Sequence, residues 1–318
     1  MIISASRRTD IPAHYSEWFF ERLKAGYVYV RNPVNPRQIS EVSLSPDTVD
    51  GIVFWTKNPL PMLENIQKLR DYTFYFQFTL NSYGTDIERN VPSKSEIVIP
   101  AFRELSALIG KEHVVWRYDP IFLSDKYTLR YHIKYFRELC SRLAGYTEKC
   151  TVSFLDVYKK IERNISALGI RPPERTETEE LAAGFAEIAG EYGIYIDTCA
   201  EAVDLSRYGI GHAACVDRER LERIGGYRLN AERDKNQRDA CGCVSSVDIG
   251  AYNTCPNGCA YCYANINHTL AAGRCAGHNP ASPLLYGEVR PADIIKPREA
   301  KSLKSSQMNF LIKGAARY

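Results

Sequence analysis

The sequence predicts an α/β fold of parallel βα units that close, wholly or in part, into a barrel. Three observations predict it. Short runs rich in β-branched and aromatic residues recur along residues 1–200. Longer amphipathic stretches separate them, and strand–helix alternation of this kind implies parallel pairing. Each run ends on a polar residue or a cysteine, and in a parallel barrel such ends meet at one rim, where active sites sit.

In chain order, the strand-like runs are residues 2–6, 51–55, 73–80, 114–118, 150–155 and 194–198. Helical patterns fill 15–24, 61–70, 95–108, 129–144, 157–168 and 176–192, the last with Thr176 and Glu179 at capping-box spacing. Residues 28–44, with prolines nearby, break the rhythm as an inserted hairpin or extended loop. The organisation that follows has βα barrel units over 1–200 and a charged, cysteine-containing insertion over 201–246. A further strand and a cysteine loop occupy 247–264, and a tail over 265–318 wraps the barrel as loop and short helix. The strand ends supply Ser6, Arg7, Arg8 and Asp10, then Lys57, Thr79, Arg117 and Asp119, and finally Asp156, Cys199 and Glu201.

With 45% hydrophobic residues, the 318-residue chain can bury a sizeable core, and its net charge of +3 gives no nucleic-acid footprint. No stretch approaches the ~20 apolar residues of a membrane helix, and the first residues lack a signal-peptide core. A cytoplasmic address with no membrane partner is therefore expected. Persistent disulfides are rare there, so ten cysteines point to metal or cluster ligation.

Cys255, Cys259 and Cys262 stand at Cys-x3-Cys-x2-Cys spacing, with the aromatic Tyr261 just before the last. A 4Fe–4S cluster usually takes four cysteines, so three leave one iron open. An open iron beside an aromatic is what radical S-adenosylmethionine (SAM) chemistry requires. SAM's amino and carboxylate groups chelate that iron, and reductive cleavage gives a radical that abstracts hydrogen from a substrate. A zinc site would need a fourth ligand, for which His268 or Cys275 are candidates. Four more cysteines, Cys199, Cys215, Cys241 and Cys243, match the number that closes a second 4Fe–4S cluster, or a structural zinc. Cys140 and Cys150 read as core.

The cluster loop of radical SAM barrels normally follows the first strand. Here the strand-then-loop segment comes last, which circular permutation explains, and residues 247–252 should then pair beside residues 2–6. With these features the chain resembles, over essentially its full length, the DUF1848 family, whose C-terminal cysteine cluster is like the radical SAM motif. More distantly it resembles the spore photoproduct lyase-like radical SAM enzymes. Thr9-Asp10, Thr56-Lys57 and Arg117-Tyr118-Asp119-Pro120-Ile121 occur in the order those enzymes carry similar pairs.

The resemblance implies that Lys57 contacts SAM's carboxylate, Ser6 or Asp10 its ribose region, Thr79 its methionine end and Tyr261 the nucleoside. An ammonium suits a carboxylate as a compact point charge. Arg7, Arg8, Arg117, Tyr118, Asp119, Asp156 and Glu201 are the substrate-side candidates. Arg117 and Asp119 equally suit a structural ion pair at the barrel rim. The expected function is a radical SAM enzyme with an unidentified small-molecule substrate and an electron donor such as flavodoxin or ferredoxin. The alternatives are a radical SAM enzyme acting on nucleic acid, or an Fe–S or zinc protein of structural or electron-carrier role without SAM chemistry.

Overall fold

A computed structural model of the protein describes residues 1–305. Its frame is a parallel sheet of eight strands: β1 (Ile2–Ala5), β4 (Gly51–Thr56), β5 (Phe74–Thr79), β6 (Val114–Ile121), β7 (Lys149–Phe154), β8 (Tyr195–Thr198), β9 (Gly211–His212) and β10 (Val247–Asp248). Their order is β10-β1-β4-β5-β6-β7-β8-β9. The six expected strands are present in sequence order, and β10 joins the free side of β1, with Ile3 opposite Val247 and Ser4 opposite Asp248. Among the described residues no ladder joins β9 to β10, so the sheet has two ends. The segments flanking those ends meet, with Val244 N–H donating to Val216 C=O at 3.1 Å.

Strand alternation sorts the side chains between the two faces of the sheet. Ile3, Ile52, Phe54, Phe76, Trp116 and Val152 join the larger core, together with helix residues such as Trp18, Phe102, Phe136 and Phe185. Ile2, Val53, Tyr75 and Val115 face the other way and meet Cys215, Val216, Leu221, Cys241 and Cys243. The segment read as an insertion therefore supplies the cover of this second face. Its contribution includes the helix Arg218–Gly225, and Tyr75 and Gln77 of β5 anchor it by donating to Cys215 C=O at 2.6 and 2.9 Å.

The helices depart from expectation where proline or local chemistry intervenes. Residues 61–70 form a short turn at Leu60–Leu63 and a tighter turn at Ile66–Leu69. Residues 95–108 begin as a wide turn, Lys94–Val98, and become α-helical at Ile99–Ile109, with Pro100 in the first turn, where its missing N–H costs nothing. Only Glu162–Ala167 of 157–168 is helical. The helix expected at 176–192 runs Arg175–Glu191, and its capping box uses Glu174 and Glu177 in place of Thr176 and Glu179.

Residues 28–44 form the antiparallel hairpin β2 (Tyr27–Arg31) and β3 (Gln38–Ser43). Among the described residues the tail holds one short helix, His268–Ala276. It returns as strand β11 (Ile294–Pro297), parallel to β3, while residues 306–318 lie outside the described residues. Among the described residues no helix is long and apolar enough to cross a membrane.

Candidate active site

The cysteine loop follows β10; Cys259, Tyr261 and Cys262 pack against the larger core, and hydrogen bonds from Tyr15, Asn265 and the exposed Asn90 hold its backbone. Tyr15 Oη donates to Thr254 C=O at 2.5 Å, Asn265 Nδ2 to Cys255 C=O at 2.6 Å, and Asn90 Nδ2 to Pro256 C=O at 2.7 Å. Gly258 turns the chain between Cys255 and Cys259 at φ +68°, in the left-handed region, with Asn90 and Arg89 packed against it. The backbone of Ala264 and Asn265 eases the Cys262 thiol downward, and that of Asn257 the Cys255 thiol, against the larger upward push of burial.

The three sulfurs line a cavity of about 490 Å³ that also receives Ser6, Arg7, Asp10, Lys57 and Thr79. Arg117, Asp119, Cys199, Cys215, Cys241 and Cys243 reach the same cavity from its other side. Residues spread from position 6 to position 264 thus meet at the C-terminal ends of parallel strands, the end at which open α/β sheets bind ligands. Burial pushes the thiols of Cys255 and Cys262 upward and that of Cys259 to about 12, with Lys57 opposing the shift at Cys259 and Cys262.

Lys57 is not a free ammonium. Its Nζ lies 2.7 Å from Glu88 Oε1 and 2.9 Å from Tyr261 Oη. Lys94 Nζ binds the other Glu88 oxygen at 2.5 Å, and Tyr261 Oη also donates to Glu88. Burial would raise the Glu88 carboxyl, but the two ammoniums outweigh it and hold it at about 2. Two cations on one carboxylate leave a positive charge beside Cys259.

Asp10 and Ser6 are tied down in similar fashion. Asp10 caps the short helix Ile11–His14 through Ala13 N–H at 3.1 Å, and accepts from Lys57 N–H at 2.8 Å and Asn257 Nδ2 at 3.2 Å. It therefore binds the ends of β1 and β4 to the cysteine loop. Ser6 Oγ donates to Asp248 Oδ1 at 2.6 Å and accepts from Arg8 N–H at 2.9 Å.

Arg117 and Asp119 form an ion pair at 2.6 Å, with Ser153 also donating to Asp119. Although its own burial opposes the charge, Arg117 is held in the charged form by Cys215 and Asp119. Tyr118, on the opposite face of β6, is turned away from the cavity into the larger core. There its hydroxyl meets Ser82 at 2.8 Å and His132 Nδ1 at 2.9 Å, so it does not serve as a substrate-side group.

Glu201 accepts from Phe154 N–H at 2.8 Å, and burial pushes its carboxyl up to about 7. Asp156 at the cavity edge pairs with Arg238. Arg7 stacks over Trp55 at 5.4 Å, its Nη2 buried without a hydrogen-bond partner, and Arg117 lies over the same ring at 5.4 Å. Cys140 and Cys150 are fully buried in the larger core.

Among the described residues, no three His, Cys, Asp or Glu side chains gather as a single metal ion would require. Glu88, Asp248 and Trp55 were not singled out by the sequence. Only Trp55 had a signal there, as the last residue of a strand run.

The sequence pattern of DUF1848, a domain of unknown function, matches residues 2–264. The chain belongs to the DUF1848 family. The match ends at Ala264, two residues past the last loop cysteine, so the DUF1848 region contains the whole eight-stranded sheet and every residue of the cavity. No curated protein and no solved structure matches the chain.

Proposed function

We propose that this DUF1848 protein is a radical SAM enzyme, its sheet a circularly permuted and incompletely closed version of the radical SAM barrel. The observation that carries the reading is the meeting of Cys255, Cys259 and Cys262 with Lys57 and Tyr261 on one cavity at the strand ends. The residues suit a 4Fe–4S cluster by their chemistry: three sulfurs on one cavity and an excess ammonium beside Cys259. Bound there, the cluster would supply the single electron that cleaves SAM.

The chain's own residues have separate tasks. Lys57 can turn from Glu88 to an incoming carboxylate because Lys94 remains to balance Glu88. Tyr261 forms the wall next to that ammonium, and Asn81 fixes its hydroxyl by donating at 3.2 Å. Arg7 and Arg117, stacked on Trp55, bring cationic groups to the far wall. A cavity of about 490 Å³ lies in the range of small-molecule sites, ~300–1,000 Å³, which favours a metabolite over nucleic acid. A cytoplasmic flavodoxin or ferredoxin would be the electron donor.

The test is anaerobic incubation of the reconstituted full chain with SAM and dithionite. We expect 5′-deoxyadenosine from the wild type and none from Cys255→Ser/Cys259→Ser/Cys262→Ser. Equal product from both proteins would defeat the reading.

A further inference from the structure

A second group of sulfurs closes the other side of the cavity, and nothing in the proposed SAM chemistry uses it. Cys199 follows β8, Cys215 follows β9, and Cys241 and Cys243 precede β10. The fold draws these three separate segments together. The sulfurs of Cys199 and Cys215 are 3.0 Å apart, Cys215 N–H donates to Cys243 Sγ at 3.2 Å, and all four cysteines line the one cavity. Such convergence is not the ordinary fate of buried cysteines, which Cys140 and Cys150 illustrate in their apolar surroundings.

The groups around these sulfurs are hydrogen-bond donors. Cys215 N–H and Val216 N–H point at Cys243 Sγ at 3.2 and 3.3 Å, and Arg117 Nη1 donates to Cys215 Sγ at 2.9 Å. Donors aimed at sulfur favour the thiolate, the form in which cysteine binds metal. They ease, without cancelling, the push of neighbouring thiols and burial that raises Cys199 and Cys243 and takes Cys215 to about 11, while Cys241 falls to about 7. Arg7 makes no ion pair among the described residues, and its buried Nη2 lacks a partner next to Cys215 and Cys243. An uncompensated guanidinium in this position is what an anionic thiolate centre would satisfy. Ala200, between Cys199 and Glu201, adopts φ 56°. Non-glycine residues rarely adopt that left-handed conformation, and here it accompanies the turn that follows Cys199.

We infer that Cys199, Cys215, Cys241 and Cys243 ligate a second iron–sulfur cluster, complete in protein ligands and independent of SAM. A cluster takes one thiolate per iron and so holds its four ligands spread apart, whereas a zinc would draw all four to about 2.3 Å from one point; the metal content of the reconstituted chain decides between them. On assembly each thiol proton leaves to solvent as its S–Fe bond forms. Cys199 and Cys215 must then part, and the adjoining cavity gives them room.

The test uses the full chain reconstituted anaerobically with iron and sulfide. Two 4Fe–4S clusters correspond to about eight irons, and we expect Cys241→Ser/Cys243→Ser and Cys255→Ser/Cys259→Ser/Cys262→Ser each to retain about half. Wild-type iron in the Cys241/Cys243 variant overturns this inference. Wild-type iron in the Cys255/Cys259/Cys262 variant, with loss in the other, sinks the proposed function and leaves this one standing. Differential alkylation of the unmutated chain removes any dependence on variant folding. Cys199, Cys215, Cys241 and Cys243 should label in the metal-free protein and be protected after reconstitution. Equal labelling in both, or protection by stoichiometric zinc with no iron, overturns the cluster.

Discussion

The ammonium of Lys57 and the carboxylate of Glu88 are 2.7 Å apart in a setting where Glu88 is almost wholly buried. Because Lys94 shares that carboxylate, the two ends of the network are not equivalent. Removing Lys57 leaves Glu88 paired, whereas neutralising Glu88 leaves two half-buried ammoniums without their shared anion. Breaking a buried pair by one partner costs about 3–5 kcal/mol. We therefore expect Glu88→Gln to lose stability in that range and Lys57→Met to lose clearly less. Urea unfolding measures both, and the reverse order would contradict the shared-carboxylate arrangement.

The same asymmetry separates stability from SAM use. If Lys57 leaves Glu88 to hold SAM's carboxylate, Lys57→Met keeps the fold but weakens SAM binding. One lost charge contact of ~1.4 kcal/mol corresponds to about tenfold in affinity. The KM for SAM in 5′-deoxyadenosine formation should rise by at least that factor. An unchanged KM would assign Lys57 to the support of Tyr261 alone.

Asp248 organises the end of β1 by accepting from Ser4 Oγ at 3.1 Å, Ser6 Oγ at 2.6 Å and Arg7 N–H at 2.8 Å. Gly250 is packed against this knot, and a methyl group there would stand 2.6 Å from Ser6 Cβ. Overpacking of this kind costs typically about 1–3 kcal/mol. Gly250→Ala should destabilise the protein by that amount, with part of the loss recovered in the Ser6→Gly background. A double-mutant cycle by thermal unfolding reads the coupling, and strict additivity would rule out the contact.

Much of this frame is legible in the sequence because it rests on local pattern. The runs 51–55 and 73–80 alternate residues between two buried faces, and the cysteine loop declares itself by spacing. The pairing of β10 with β1 was readable because Val247–Asp248 is followed directly by the loop. What escaped depends on contacts between distant positions. Glu88 lies in an irregular loop with no periodic signal, and its partners Lys57 and Tyr261 are far from it in the chain. The cover formed by residues 213–244 looked like an insertion because its apolar residues are too sparse to announce a buried face. Tyr118 could have been placed correctly by parity alone, since Arg117 and Asp119 share one face of β6 and Tyr118 takes the other.

His132 gives the pH dependence its clearest single source. It is fully buried, accepting from Tyr118 Oη through Nδ1 and donating through Nε2 to Phe122 C=O at 2.8 Å, a pattern that needs the neutral ring. Burial lowers its pKa from 6.5 to about 4, partly opposed by Phe122. Between those values the unfolded chain binds the extra proton, so stability falls as pH drops from about 6.5 to about 4. The shift corresponds to about 3 kcal/mol at most, from 1.36 kcal/mol per unit. His132→Gln removes this titration while offering both a donor and an acceptor. Its unfolding free energy should fall less steeply across that window than the wild type's, even if it begins lower at pH 7. Parallel slopes for the two proteins would exclude His132 as the origin.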